Sequence, residues 1–210
     1  MRYADQAYHP SRLRRFANLV SSNRPIVAEK PTAHSLPAAQ ILTGSFWHQC
    51  SPSRHLLDVA NPAVTSGRYH QVGGPGVWYA SSSETGAWAE LFRHHEQGGV
   101  SPFEVRRLVG KVRVRNLKVL DLTDEQVRVT LRVSGSDLAG DDLTRCQSIA
   151  NRARVAGYDG ILAPSAALDG QTTLAVFASA ADKISEASSH VRHAPARMRR
   201  FSGQVRTRSR

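Results

Sequence analysis

The chain has 210 residues, 40% hydrophobic and 7% aromatic, with 28 Lys and Arg against 17 Asp and Glu and a formal net charge of +11. That length fits one domain with extensions, and no apolar run approaches the roughly 20 residues a membrane span needs. Only Cys50 and Cys146 could carry sulfur chemistry, which excludes a disulfide scaffold and a cysteine-built zinc site. Met1 to Val20 holds Arg2, Arg12, Arg14 and Arg15 but no signal-like apolar stretch, so a soluble cytoplasmic protein is expected.

In chain order, residues 1–40 read as an N-terminal arm: a short basic helix over Ser11 to Val20, then a stretch interrupted by Pro25, Pro31 and Pro37. The dense part starts near Ile41. Gly73-Gly74-Pro75-Gly76 is a turn feeding a buried strand, Val77 to Ala80. Ser81 and Glu84 have the spacing of a capping box. The helix they predict carries Ala87, Trp88, Leu91 and Phe92 on one face and Glu90 on another. Between Phe103 and Leu122, apolar residues alternate with Arg and Lys in strand-like blocks broken at Gly110 and Asn116. Thr123 and Gln126 predict a helix through Val133, Gly135 to Gly140 a loop, and Asp141-Asp142 the cap of a helix with Cys146, Ile149, Ala150 and Ala153 inward, ending at Gly157. Gly160 to Ala163 and Thr172 to Ala178 predict two more strands. The fold class is therefore α+β, one mixed domain with a central sheet and flanking helices over residues 41–183. From Ile184 onward seven arginines face one acid, Glu186, leaving the segment at +6 with no periodic apolar residues. Residues 184–210 are expected to be a basic disordered tail with weak, salt-sensitive attraction to nucleic acid.

Most standard catalytic motifs fail. The glycine turn lacks both a P-loop ending and dinucleotide-fold spacing; His94 and His95 point about 100° apart on their helix, unlike an i, i+4 metal pair; and Ser165 lacks a nucleophile elbow. No metal site is expected. What remains is a set of polar residues at strand ends and loops: Arg68, Tyr79, Glu90 and Ser165. Singly, each has a structural explanation, as a surface charge, a core aromatic, a solvated helix residue and a hydrogen-bonding hydroxyl.

The string GRYHQVGGPGVWYASSSETGAWAE, followed by GDDLTRCQSIANRARVAGYDGILAPSA and TTLAVF, resembles the RES-domain family, named for an Arg, a Glu and a Ser. The resemblance spans roughly Phe46 to Ala178. It implies a fold similar to ADP-ribosyltransferases and a toxin of a bacterial toxin–antitoxin pair that consumes NAD+ as substrate, with no further cofactor. It also implies an antitoxin partner, usually a helix-turn-helix protein. Position by position it makes Arg68, Glu90 and Ser165 the catalytic residues, with Tyr79, Tyr69 and His48 joining Arg68 and Ser165 in substrate binding, and Gln147 supporting packing or the loop. The chain departs from the family where Tyr69-His70 follow Gly67-Arg68 in place of Trp-Asn, and where His48 follows Phe46-Trp47 in the slot of an arginine. His48 is expected at the ribose or pyrophosphate. The acceptor of the cleaved ribose could be water, phosphate or a protein side chain, the last making a mono-ADP-ribosyltransferase. A non-enzymatic nucleic-acid-binding module is the reading from a different class.

Overall fold

The computed structural model describes residues 36–59, 65–95 and 101–200, which fall within one unit, Ser35–Arg210. The helix expected over Ser11 to Val20 and the first two prolines of the arm lie outside the described residues. In chain order the elements are β1 (Gln40–Cys50), β2 (Val77–Ser81), α1 (Glu84–His95), β3 (Arg107–Asp121), α2 (Glu125–Leu131), α3 (Gly135–Ala139), α4 (Thr144–Val155), β4 (Gly160–Pro164), β5 (Thr172–Phe177) and β6 (Ile184–Arg192), with short 3-10 turns at Ala178–Lys183 and Ala196–Arg200. The sheet runs β1-β2-β5-β4-β3-β6, and β1 also pairs with β3. Five strands thus close on themselves like a barrel, and β6 extends the sheet from the first half of β3. The expected α+β class with one mixed domain describes this arrangement. No helix among the described residues is long and apolar enough to cross a membrane.

β3 is one 15-residue strand, where the sequence predicts blocks broken at Gly110 and Asn116. Its alternation sends Val112 and Val114 into one core cluster and Lys111, Arg113 and Arg115 outward, while Val109, nearer the start, packs in the cluster under α1. At Asn116, with φ 52°, the alternation slips by one, and the register with β1 shifts between Leu42 and Gly44. This is a β-bulge: two residues of β3 face Thr43, whose hydroxyl accepts from the Asn116 amide at 3.0 Å. Asparagine tolerates the left-handed backbone, so the strand bends and continues. Gly110 is needed for a different reason: a Cβ there would lie 2.4 Å from Leu56 Cδ2 and 2.5 Å from the Ser188 carbonyl.

Helix starts follow local chemistry that lies a residue or two from the expected caps. Ser83, and not Ser81, caps α1: its hydroxyl accepts from the Gly86 amide at 3.0 Å, while Ser81 is the buried last residue of β2. Asp124, and not Thr123, caps α2 through the Gln126 amide. The expected loop Gly135 to Gly140 contains the one-turn α3, because Ser134 and Asp137 form a capping box that outweighs the flanking glycines. Asp142 accepts from the Thr144 amide at the start of α4, whose inward face is Cys146, Ile149, Ala150 and Ala153 as expected, with Gln147 added.

The expected tail is corrected over residues 184–200; residues 201–210 of it lie outside the described residues. Residues 184–192 pair with β3 from Val114↔Ile184 to Arg107↔Arg192. Beyond them Met198 is fully buried in a cluster with Trp88, Leu91 and Phe92 of α1. Arg192 and Arg197 both pair with Glu84 at the start of α1, the second at 2.9 Å, and the Arg199 guanidinium lies 4.8 Å from the Phe103 ring centroid. Composition hid this because the strand lies at a sheet edge with its outward side chains in water, so it needs few apolar residues. The domain therefore extends through residue 200 rather than ending at 183. Met198→Ala should destabilise the protein by about 2–5 kcal/mol, the usual cost of emptying a filled core site, read as a lowered urea midpoint. Deletion from Glu186 onward should prevent folding.

Candidate active site

One cavity of about 540 Å³ opens where the β1–β2 side of the barrel meets α1 and the loop 65–70, with His48, Arg68, Tyr79, Glu90, Arg93 and Arg107 in its wall. Its charge is set by three arginines facing one carboxylate. The loop that carries Arg68 is tied down from beneath by Gln147 of α4, whose amide donates to Ser66 Oγ at 3.0 Å and to the carbonyls of Gly67 and His70 at 3.0 and 3.1 Å. Arg154, two helical turns on, donates to the Tyr69 carbonyl at 2.6 Å while stacking 4.3 Å over the Phe177 ring. The loop-support role expected of Gln147 has this geometry.

Tyr79 is the pivot on the β2 side. Its hydroxyl accepts from the Tyr69 amide at 3.0 Å and donates to His70 Nδ1 at 2.9 Å, so the ring is immobilised at the cavity wall. Burial pushes its phenol well above the usual range, keeping it protonated. Gly67 is required here, because a Cβ would sit 2.4 Å from His70 Cε1 and 2.9 Å from the Tyr79 hydroxyl. Tyr69, expected in substrate binding, borders the cavity mostly from within the core. It is 1% exposed and packs in the core with Leu120, Ile161 and Phe177, so its backbone does the work at the loop.

Glu90 projects from α1 on the side away from Leu91. Ser165 Oγ donates to its Oε1 at 3.3 Å and Thr173 Oγ1 at 3.4 Å. The Ser165 hydroxyl is fixed in turn by the amides of Ala167 and Leu168, which donate to it at 3.1 and 3.2 Å. Ser165 is 3% exposed and lies behind Glu90, outside the residues that line the cavity. Burial pushes the Glu90 carboxyl up, against the charges of Arg68 and Arg93 and the two hydroxyl bonds, which pull it down. Arg68 itself is half-buried and donates to the Gly140 carbonyl at 2.9 Å.

Arg93 was not singled out from sequence, yet it organises the site. It is 3% exposed, donates to the Ala166 carbonyl at 2.7 Å and the Ala139 carbonyl at 3.0 Å, and pairs with Asp141 at 2.9 Å. It thereby ties α1 to α3 and to the β4–β5 loop. Its position three residues after Glu90, on the same helix face, was the available signal.

His48 does line the cavity. Its Nδ1 donates to the Tyr79 carbonyl at 2.5 Å, and burial, reinforced by Arg107 and Arg54, lowers its pKa from 6.5 to about 4. At neutral pH it is therefore an uncharged imidazole with Nε2 as an acceptor. Arg107, on β3, and Gln49 were also missed; they meet only because β1 and β3 pair.

The chain belongs to the RES-domain family, whose domain matches residues 37–199. It is 55% identical over 158 residues, 75% of each chain, to "Probable NAD(+) phosphorylase Rv3189" of Mycobacterium tuberculosis strain H37Rv. The fold is similar to that of a chain in the crystal structure of the M. tuberculosis MbcT-MbcA toxin-antitoxin complex, with a TM-score of 0.69 at 20% identity, covering 79% of this chain and 92% of that one.

Two predictions follow from the geometry. Gly67→Ala should cost about 1–3 kcal/mol in thermal unfolding, since the new methyl overpacks the His70–Tyr79 contact. For His48, the depressed pKa means the unfolded chain takes up its proton first as pH falls. The stability this residue contributes is present above pH 6.5 and should be lost progressively down to about pH 4. His48→Gln should flatten that part of a stability–pH curve.

Proposed function

We propose that this protein cleaves the bond between nicotinamide and ribose in NAD+ and passes the ribose to inorganic phosphate, acting as a toxin that a protein antitoxin holds in check. The observation that carries the reading is Glu90, a half-buried carboxylate held by two hydroxyls in a cavity whose wall also holds three arginines. The 55% identity to a probable NAD(+) phosphorylase supports the substrate and favours phosphate over water as acceptor.

Leaving of nicotinamide builds positive charge on the ribose, and a fixed carboxylate beside it stabilises that oxocarbenium-like state more than the ground state. Glu90 supplies the carboxylate, and Ser165 and Thr173 hold its orientation. Arg68 presents a planar set of donors to the NAD+ pyrophosphate. The immobilised Tyr79 ring offers a face for nicotinamide and excludes water from the reacting carbon. His48, neutral with an acceptor at Nε2, fits a ribose hydroxyl better than an ionised pyrophosphate. Arg68 and Arg93 offset the charge of an anionic substrate before it binds, so the dinucleotide meets a site that needs little reorganisation.

The antitoxin is expected to be of the helix-turn-helix kind, on the family resemblance. Arg197 and Arg199, which the sequence offered to nucleic acid, are engaged within the fold, and this weighs against the nucleic-acid-binding alternative. ADP-ribosyl transfer to a protein remains the second reading for the same site, and the product separates the two: a ribose-1-phosphate derivative against a labelled protein.

Glu90→Gln keeps shape and hydrogen-bond acceptance but removes charge. Nicotinamide release should fall by about 10²- to 10³-fold. The same variant should melt higher at pH 7. The folded-state pKa of Glu90 is raised, so the stability its proton provides is present below the ordinary value of 4.5 and lost as pH rises through the folded value; glutamine never incurs that loss. An active, destabilised Glu90→Gln protein would refute the assignment.

A further inference from the structure

A second, smaller cavity of about 200 Å³ adjoins the first and shares His48, Gln49, Tyr79 and Arg107 with it. It falls below the roughly 300–1,000 Å³ that pockets for drug-sized ligands occupy, which suits a small ion and not a dinucleotide. Its donors are unusually placed. Arg107 Nε donates to Gln49 Oε1 at 2.5 Å, which fixes both side chains. That single bond leaves the two terminal amino groups of Arg107 and the amide NH2 of Gln49 without a protein partner among the described residues. Arg54, the other cation in this wall, is already engaged: it pairs with Asp58 at 3.7 Å and donates to the carbonyls of Asp58 and Val59. Asp58, the acid in the same wall, also accepts from the His55 amide at 3.0 Å. Arg107 is thus a half-buried cation facing a cavity whose one carboxylate among the described residues, Asp58, is taken up by Arg54 and the His55 amide, an arrangement whose desolvation cost an incoming anion would offset.

We propose that Arg107 and Gln49 form an oxyanion subsite that receives inorganic phosphate as the second substrate. This rests on the reading that the protein phosphorolyses NAD+. Because His48, Gln49, Tyr79 and Arg107 border both cavities, a phosphate held by Arg107 and Gln49 lies beside the space proposed for the ribose. His48 and Tyr79 stand on that wall, where the ribose and nicotinamide are proposed to lie. The groups that Arg107 and Gln49 leave unbonded are all donors, which match the ionised oxygens of a phosphate and fit a ribose hydroxyl poorly. In the step itself, an unprotonated oxygen of hydrogen phosphate forms the bond to ribose C1 as the C1–N bond to nicotinamide breaks. The bonding pair passes to the ring nitrogen and neutralises the pyridinium, and the phosphate keeps its own proton. Arg107 and Gln49 orient the attacking group, while Glu90 stabilises the charge on the sugar.

The test uses full-length protein with NAD+ and inorganic phosphate, following nicotinamide release. Arg107→Gln should raise the KM for phosphate by about tenfold or more, the usual effect of losing a charged hydrogen bond, with the KM for NAD+ changed less than about twofold. Arg107→Lys should fall between the two. Arg106→Gln, an exposed neighbour with the same change in net charge, should leave both constants alone. Calorimetric titration with inorganic phosphate alone should show weaker binding to Arg107→Gln than to wild type, at unchanged melting temperature. A phosphate KM equal to wild type in Arg107→Gln overturns the proposal. So does a rise confined to the NAD+ KM, which would give the subsite to the dinucleotide's pyrophosphate. A wild-type protein that releases no nicotinamide in phosphate overturns the phosphorolysis reading instead, and Arg107-dependent phosphate binding in the calorimeter would still support the anion subsite.

Discussion

Much of the structure near the cavity follows from holding one half-buried carboxylate in its wall. Glu90 is pushed toward its neutral form by burial, and only the surrounding donors and cations keep ionisation accessible. Two of those groups, Ser165 and Thr173, come from β4–β5. Arg68 comes from a loop, and Arg93 from the same helix one turn on. None can move far without leaving a buried polar group unsatisfied, so the requirement of one residue propagates into the placement of four segments. Arg93 shows the linkage most directly, because the side chain that faces Glu90 also holds Ala139, Asp141 and Ala166.

The helix that carries Glu90 is braced from its far side by the C-terminal segment. Met198 packs on Trp88 and Phe92, and Glu84 at the start of α1 receives Arg192 and Arg197. Glu84 is pulled below its usual range by these arginines despite burial, so it stays charged and holds both. Two arginines of the run that looks like a polyanion-binding tail, Arg192 and Arg197, clamp the helix that carries Glu90. The positive charge of the chain is therefore not a surface property alone; Arg93, Arg107, Arg154 and Arg192 each do structural or site work in partly or fully buried positions.

The site combines rigid and adaptable parts in a recognisable division. Strands β1, β2 and β5 supply His48, Tyr79 and Thr173 from a closed sheet, where register is set by hydrogen bonds on both sides. Arg68 and Ser165 sit on loops, but each loop is fixed by buried bonds, from Gln147 and from the amides of Ala167 and Leu168. A transition state is served best by groups that need not reorganise, and these loops have little freedom to do so.

Sequence by itself determined much of the local structure, because local structure depends on period and caps. The inward residues of α1 and α4 and the alternation of β3 were all legible as patterns in a one-dimensional string. The family motifs also named Arg68, Tyr69, Tyr79, Glu90, Ser165 and His48, and five of these line the cavity, while Ser165 stands directly behind Glu90. What only the tertiary structure decided was which polar residues meet. Gln49 and Arg107 lie 58 positions apart, Arg93 reaches Ala166 across 73, and Glu84 reaches Arg197 across 113. Hydrogen bonds of that separation leave no periodic trace, since each depends on strand register and helix docking rather than on neighbours in the chain. For the same reason an edge strand with few apolar residues passed as a disordered tail: its stability comes from pairing with β3, a property of two segments and not of one.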